Sequence, residues 1–218
     1  MKKNIKKNEP LHLQSYKIIK DHITQGEFSP GERITESGLS KDLGVSRGTI
    51  RETIKMLIQD GLIIHEGGCL RIFLPTLTMA TDLYLCRERL ESLAAKLATR
   101  NITDEEKRKL ESILRKADKA LSEGNIIELG RLNTSFHQLI VTCSRNNELL
   151  QLINVIRAKV AFIRNSLHRN YVRGDSHIQE HKDIAQAIFN NDEHKAEELM
   201  SYHIKKDLEA IHVLFSKE

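Results

Sequence analysis

The chain's punctuation residues stop at residue 75, and this limits the fold more than any motif does. All three prolines (Pro10, Pro30, Pro75) and eight of the eleven glycines lie in residues 1–75, so residues 76–218 hold no proline and three glycines. Proline removes a backbone donor and glycine costs about 1 kcal/mol in a helix interior, so a stretch nearly free of both reads as helix. Histidine is distributed the other way, with His12, His22 and His65 in the first part and seven more beyond it. The division predicts two domains with different tasks, residues 1–75 and residues 76–218.

With 218 residues, 39% hydrophobic and 29% charged, the chain can bury one or two ordinary cores, which excludes a disordered, collagenous or disulfide-stapled class. No run of about 18 uncharged apolar residues occurs, and the Lys-rich tail Met1–Lys7 lacks the apolar segment of a secretory signal. A cytoplasmic, nucleoid-associated protein with no membrane partner is expected. Cys69, Cys86 and Cys143 are odd in number and far apart, so they are expected to be packed thiols rather than disulfides or zinc ligands. Of the formal net charge of +4, residues 1–75 carry 12 Lys+Arg against 9 Asp+Glu, or +3. So small an excess points to nucleic acid only through its placement.

Leu13, Tyr16, Ile19 and Ile23 recur at helical spacing as far as Gly26, and after a turn Thr35 can cap a short helix bearing Leu39 and Leu43 up to Gly44. Ser46 is the next natural N-cap, with Val45 and Ile50 placed as a hydrophobic staple and Ile50, Ile54, Leu57 and Ile58 as the buried stripe. The opposite face of this third helix carries Arg47, Gly48, Thr49, Arg51 and Lys55, three of them cations spaced by four. Charge runs usually only solvate a helix. Here they follow a short helix and a tight turn, the layout that sets Arg forks against guanine edges in the major groove. Two β-branched runs around Gly67-Gly68 then predict a hairpin, or wing.

The strings Pro30-Gly-Glu-Arg-Ile-Thr-Glu36 and Leu39-Ser-Lys-Asp-Leu-Gly-Val-Ser-Arg-Gly-Thr-Ile-Arg-Glu52, followed by Leu57 and Asp60-Gly61-Leu62, resemble the winged helix-turn-helix of GntR-family bacterial transcription regulators. The resemblance spans nearly all of residues 11–75. It implies base contacts from Arg47 and Arg51 supported by Ser46 and Thr49, and minor-groove or phosphate contacts from the wing tip at Gly67 and Gly68. A third arginine common in the family's second helix is replaced here by Glu36-Ser37-Gly38, leaving Arg33 as the substitute candidate. One winged helix reads only a few base pairs, so a homodimer on a palindromic operator DNA is expected, with its contacts in the helical domain.

Beyond Pro75, six helical patterns follow: Met79 to Thr99 with Leu83, Cys86, Leu90, Leu93 and Leu97 as its apolar set, a second opened by the capping box Thr103-Asp-Glu-Glu106, then Ile126 to Cys143, Glu148 to Leu167, Ile178 to Phe189 and Glu193 to Leu214. A mainly α chain is expected, a winged helix-turn-helix followed by an all-α bundle. His137, His181 and His203 each sit beside an apolar stripe, and Asn133 lies one turn before His137. Three imidazoles and an amide oxygen suit zinc or another divalent first-row metal such as nickel or manganese, with open positions left. Separations of 44 and 22 residues are no local signature, and a histidine on an apolar helix face is more often a hydrogen-bonded core residue.

Arg87-x-x-Leu90-Glu91 with Ala94-Ala95, Leu132-Asn-x-x-Phe136-His137, Asn147-x-Leu149-Leu150, Glu180-His181-x-x-Ile184 and Ala196 followed by His203 are similar to the FCD ligand-binding domain of the FadR-like GntR branch, and six helices resemble its shorter form. The resemblance implies a small carboxylate effector bound in the bundle on a metal held by Asn133, His137, His181 and His203, with Arg87 clamping the acid. Asn133 stands where the family more often has Asp, and His177, one turn before His181, is a competing ligand. A ligand-responsive regulator is the leading expectation. The rivals are a repressor whose signal is the metal itself, and a metallohydrolase, for which no general base beside a metal-bound water is evident.

Overall fold

A computed structural model of the chain describes residues 9–167 and 175–216; the Lys-rich tail Met1–Lys7 lies outside them. The chain divides between Leu74 and Pro75 into two compact units.

In the first unit α1 (Leu11–Thr24), β1 (Arg33–Ile34), α2 (Glu36–Leu43), α3 (Arg47–Gln59), β2 (Ile63–Glu66) and β3 (Cys69–Ile72) follow in order. The helix starts obey the cap chemistry. The Thr35 side chain accepts from the Gly38 amide at the head of α2, and that of Ser46 accepts from the Thr49 amide at the head of α3. Gly44, at φ 65°, ends α2 in the left-handed conformation that glycine adopts freely, and only Gly44, Val45 and Ser46 separate α2 from α3. Ile19 and Ile23 of α1, Ile50, Ile54 and Leu57 of α3, and Leu62, Ile63 and Ile72 form the core. Truncating fully buried Ile50 to Ala would cost about 2–5 kcal/mol. Ile58, expected in the stripe, is only half-buried.

β2 and β3 form an antiparallel hairpin with Ile63 opposite Ile72 and Glu66 opposite Cys69. Gly67 and Gly68 turn it with φ of 56° and 74°, the pairing of positive φ values that matches strand twist in a two-residue loop. β1 adds to the far edge of β3, giving the order β1-β3-β2, with Arg33 opposite Arg71. Two residues cannot show alternation, so β1 left no sequence signal.

The second unit consists of α4 (Leu77–Asn101), α5 (Asp104–Ser122), α6 (Ile126–Cys143), α7 (Asn147–Leu167), α8 (Asp175–Phe189) and α9 (Glu193–Phe215), bearing out the expected mainly α fold with an all-α second part. The capping box is present: Thr103 Oγ1 accepts from the Glu106 amide, and Glu106 accepts from the Thr103 amide. α4 packs chiefly on α9, α6 and α7, which places its inner face at the centre of the bundle.

That face is not the expected one. Cys86 and Leu93 are exposed and Leu83, Leu90 and Leu97 are only partly buried, whereas Ala80, Tyr84, Arg87, Glu88, Glu91, Ala94, Ala95 and Ala98 are buried. Small alanines let the neighbouring helix approach closely. Arg87 and Glu91 can be inside because they pair with each other, a compensation that a count of apolar residues overlooks. The packed-thiol expectation holds for Cys143, but Cys69 is half-buried and Cys86 exposed. Among the described residues no helix is long and apolar enough to cross a membrane.

Candidate functional site

The interior of the helical unit holds an unusual density of polar side chains. α6 supplies Asn133 and His137, α8 supplies His177, Glu180 and His181, α9 supplies His203 and Asp207, and α4 supplies Arg87 and Glu91. His137, His181 and His203 are all buried, and one ring nitrogen from each falls within 4.8 Å of the others. Nε2 of His181 and Nε2 of His203 are 3.2 Å apart. Two ring nitrogens this close need a proton between them, or a cation in its place. Nδ1 of His203 is 2.7 Å from Glu180 Oε2, the carboxylate contact that orients an imidazole and turns its other nitrogen toward a ligand. Phe136 stacks on His181 with ring centroids 4.0 Å apart.

Asn133, brought to the same interior, is buried, and its Oδ1 has no hydrogen-bond partner. A buried orphan acceptor one turn before His137 on the same helix is one that a cation could satisfy. A second donor set shares His203 with His177 and Asp207; Asp207 lies 3.6 Å from Nε2 of each ring, through Oδ1 to His177 and Oδ2 to His203.

The electrostatics keep the His137 and His181 rings available as neutral ligands. Burial pushes His137 down to about 4, the Arg87 charge acts in the same direction, and Glu91 opposes both. Burial, then the neighbouring His177 and His203, hold His181 well below the usual histidine value. Burial would raise the Glu91 pKa, but Arg87 and then His137 outweigh it and hold it at about 2.

Arg87 is buried and fully engaged. Its Nε donates to Glu91 Oε1 at 2.7 Å, Nη1 to Asp207 Oδ2 at 3.1 Å, and Nη2 to His137 Nε2 at 3.0 Å. Nδ1 of His137 then faces Glu91 Oε2 at 2.5 Å. Arg87, Glu91 and His137 help line a cavity of about 30 Å³ between α4, α6 and α7, with Val141, Ile153 and Val160 among its other walls.

Glu91, Glu180, Asp207 and Arg164 belong to this interior but were not picked out from the sequence. Glu91 lies four residues after Arg87, Asp207 four after His203, and Glu180 next to His181, so helical spacing could have found those three. Nothing local marks Arg164.

In the first unit, Ser46, Arg47, Thr49, Arg51 and Lys55 lie along the first turns of α3, and all but the partly buried Thr49 are exposed. Their engagement differs. Among the described residues the Arg47 side chain has no hydrogen bond or ion pair, whereas Arg51 Nε donates to both carboxylate oxygens of Glu36, at 2.8 and 3.1 Å. Lys55 pairs with Glu52 one turn back at 2.8 Å. The Ser46 and Thr49 hydroxyls are 2.9 Å apart and serve the cap. Arg33 is exposed on β1, and Gly67 and Gly68 project at the hairpin tip, where an added Cβ would meet nothing within 4 Å.

Residues 11–69 match the family model "Bacterial regulatory proteins, gntR family", and residues 82–206 match the FCD domain. The chain is 33% identical over 211 residues to the "Uncharacterized HTH-type transcriptional regulator YdhC" of Bacillus subtilis (strain 168), covering 95% of this chain and 94% of that protein. It is 34% identical over 140 residues to the Nta operon transcriptional regulator of Aminobacter aminovorans, covering 63% and 65%. Among solved structures, E. coli McbR/YncC matches with a TM-score of 0.85 at 19% identity over 94% of this chain and 98% of that one, a likeness of fold.

Proposed function

Because this chain belongs to the gntR family of bacterial regulatory proteins and carries an FCD domain, we propose that it represses its target genes as an operator-bound homodimer and is released by a small carboxylate taken up at a metal site in the helical unit. That the chain is a transcription regulator and not an enzyme follows from its relatives. The operator, the metal, the effector and the dimer are the proposal.

One observation carries it: the ring nitrogens of three buried histidines converge, with buried Arg87 against His137 and an orphaned Asn133 oxygen one turn before His137 on α6. Asn133, His137, His181 and His203 would hold a divalent first-row ion, zinc foremost, with nickel and manganese as alternatives. Bound there, the ion supplies a positive charge and open positions for a carboxylate. The chain's own residues do the rest. Glu180 orients His203, Arg87 would exchange one of its present acceptors to meet the acid, and Val141, Ile153 and Val160 give the cavity between α4, α6 and α7 apolar walls.

On the DNA side Arg47 and Arg51 would read base edges, Ser46 and Thr49 would support them, Lys55 would attract phosphate, and Arg33 and the tip at Gly67 and Gly68 would reach the backbone or minor groove. α4 starts at Leu77, three residues after Leu74 closes the first unit, so a change in α4 has a short covalent path to the DNA-binding part. An effector changes operator affinity only by its differential affinity for two arrangements, typically about 1–3 kcal/mol. The test is fluorescence anisotropy on an operator selected from random DNA, with metal-loaded and chelated protein, titrated with short carboxylic acids. Release by an acid only in the loaded protein is expected; release by metal alone would make the metal the signal, and indifference to both would end the proposal.

A further inference from the structure

His177, on α8 one turn before His181, is the interior histidine that the four-ligand site leaves out. It is also the most exposed of them, with 15% of its side chain open against 8% for His137 and 0% for His203. Its Nε2 lies 3.6 Å from Asp207 Oδ1, and Oδ2 of the same carboxylate lies 3.6 Å from Nε2 of His203. Two ligands on one tetrahedral zinc, each bonded at about 2.0–2.1 Å, sit about 3.4 Å apart, so these spacings are close to those around a shared ion. One donor atom from each of the three residues falls within 4.8 Å of the other two. The set is also braced from behind. Glu180 takes Nδ1 of His203 and so turns Nε2 inward, and Nη1 of Arg87 donates to Asp207 Oδ2 at 3.1 Å. His137 stands differently, with Arg87 on Nε2 and Glu91 on Nδ1, so a metal on that ring must first displace one of them. Asp207 brings a negative charge toward a cation, which an amide oxygen and neutral imidazoles do not.

We propose that His177, His203 and Asp207 form a second, outer position for a divalent first-row ion, overlapping the deep one through Nε2 of His203. The inference rests on the reading that the helical unit takes such an ion at all, and adds a position that uses none of Asn133, His137 and His181. Because Nε2 of His203 serves both positions, one chain holds one ion, at one place or the other. The outer position fills with the contact between Arg87 and His137 intact, and the deep one does not. An ion arriving from solvent therefore meets His177 and Asp207 first, and moves inward about His203 as Arg87 gives up Nε2 of His137. Two nitrogens and a carboxylate leave positions for water, so the outer ion is held more weakly than the deep one.

The test is titration of the full-length, chelated protein with cobalt(II), whose visible absorption reports the ligands around it. The ion is added back because the outer position, weaker and nearer solvent, empties during purification. The wild type should take one cobalt per chain. His181→Ala, which breaks the deep site, should still take one, about tenfold or more weakly and with a changed spectrum. Adding His177→Gln to His181→Ala should weaken cobalt by about another tenfold or more. If the residual cobalt of His181→Ala is instead lost with Asn133→Ala and kept with His177→Gln, it is a remnant of the deep site and the proposal falls. It falls too if His181→Ala binds no cobalt while the wild type does, although the metal reading would then stand. No cobalt on the wild type would remove both. If His181→Ala does not fold, His181→Leu takes its place, and the same dependence on His177 decides.

Discussion

Nη2 of Arg87 donates to Nε2 of His137 at 3.0 Å, so the arginine occupies a lone pair that a metal on His137 would also use. The same guanidinium holds Glu91 and Asp207. Arg87 is therefore both a brace for two buried carboxylates and a competitor for one imidazole.

This competition sets the outcome of Arg87→Met. Removing one partner of a buried ion pair typically costs about 3–5 kcal/mol, so the metal-free variant should be less stable than wild type by that order in urea. Metal binding should tighten, because His137 Nε2 is released. Metal titration followed by thermal unfolding checks both; an unchanged metal affinity would mean that Nε2 is not the ligating atom.

The metal-free protein should lose stability as the solution is acidified. His137 and His181 have folded-state values below the unfolded value of about 6.5, so the unfolded chain takes up protons first and gains from acid. Stability is complete above about 6.5 and falls with pH, for His137 down to its folded value of about 4. Urea midpoints of chelated protein at descending pH should fall across that window, and those of the double variant His137→Leu, His181→Leu should fall less. Equal slopes would contradict the assigned shifts.

Unequal engagement on α3 separates three roles. Arg47→Ala should cost about 1–3 kcal/mol per half-site on the cognate operator and relax specificity there. Lys55→Ala should weaken all DNA alike and lower the salt slope by about 1. Arg51 must leave Glu36 to reach a base, so Glu36→Gln should strengthen DNA binding. Competition titrations on cognate and scrambled DNA read all three, and identical losses from Arg47→Ala and Lys55→Ala on both DNAs would remove the recognition-helix assignment.

A dimer is expected at micromolar concentration, free and on DNA, since two-fold pairing doubles the specific contacts. Sedimentation velocity of the full chain decides it; a monomer in both states would contradict the operator geometry proposed.

Much of the fold could be read from the sequence, because caps and turns are local. Thr35, Ser46, Thr103 and Gly44 each mark a helix end within a few residues of the atoms they satisfy. β1 escaped notice because its only signal is pairing with β3, some 35 residues away. The inner face of α4 was misread because buried Arg87 and Glu91 compensate each other, and compensation between charges is not hydrophobicity. Helical phase and family resemblance point to the histidines, and the structure brings the ring nitrogens of His137, His181 and His203 together. Arg164 could not be found that way: only the fold brings it to the cavity it shares with a helix some 70 residues earlier.

The central claim, a metal held by Asn133, His137, His181 and His203, is tested most directly by elemental analysis of protein purified after metal-replete growth. The wild type should carry about one divalent first-row ion per chain, and His181→Ala, still folded and still DNA-binding, should carry almost none. Equal metal content in the two proteins, or no metal in either, would contradict the site and return the three histidines to core packing.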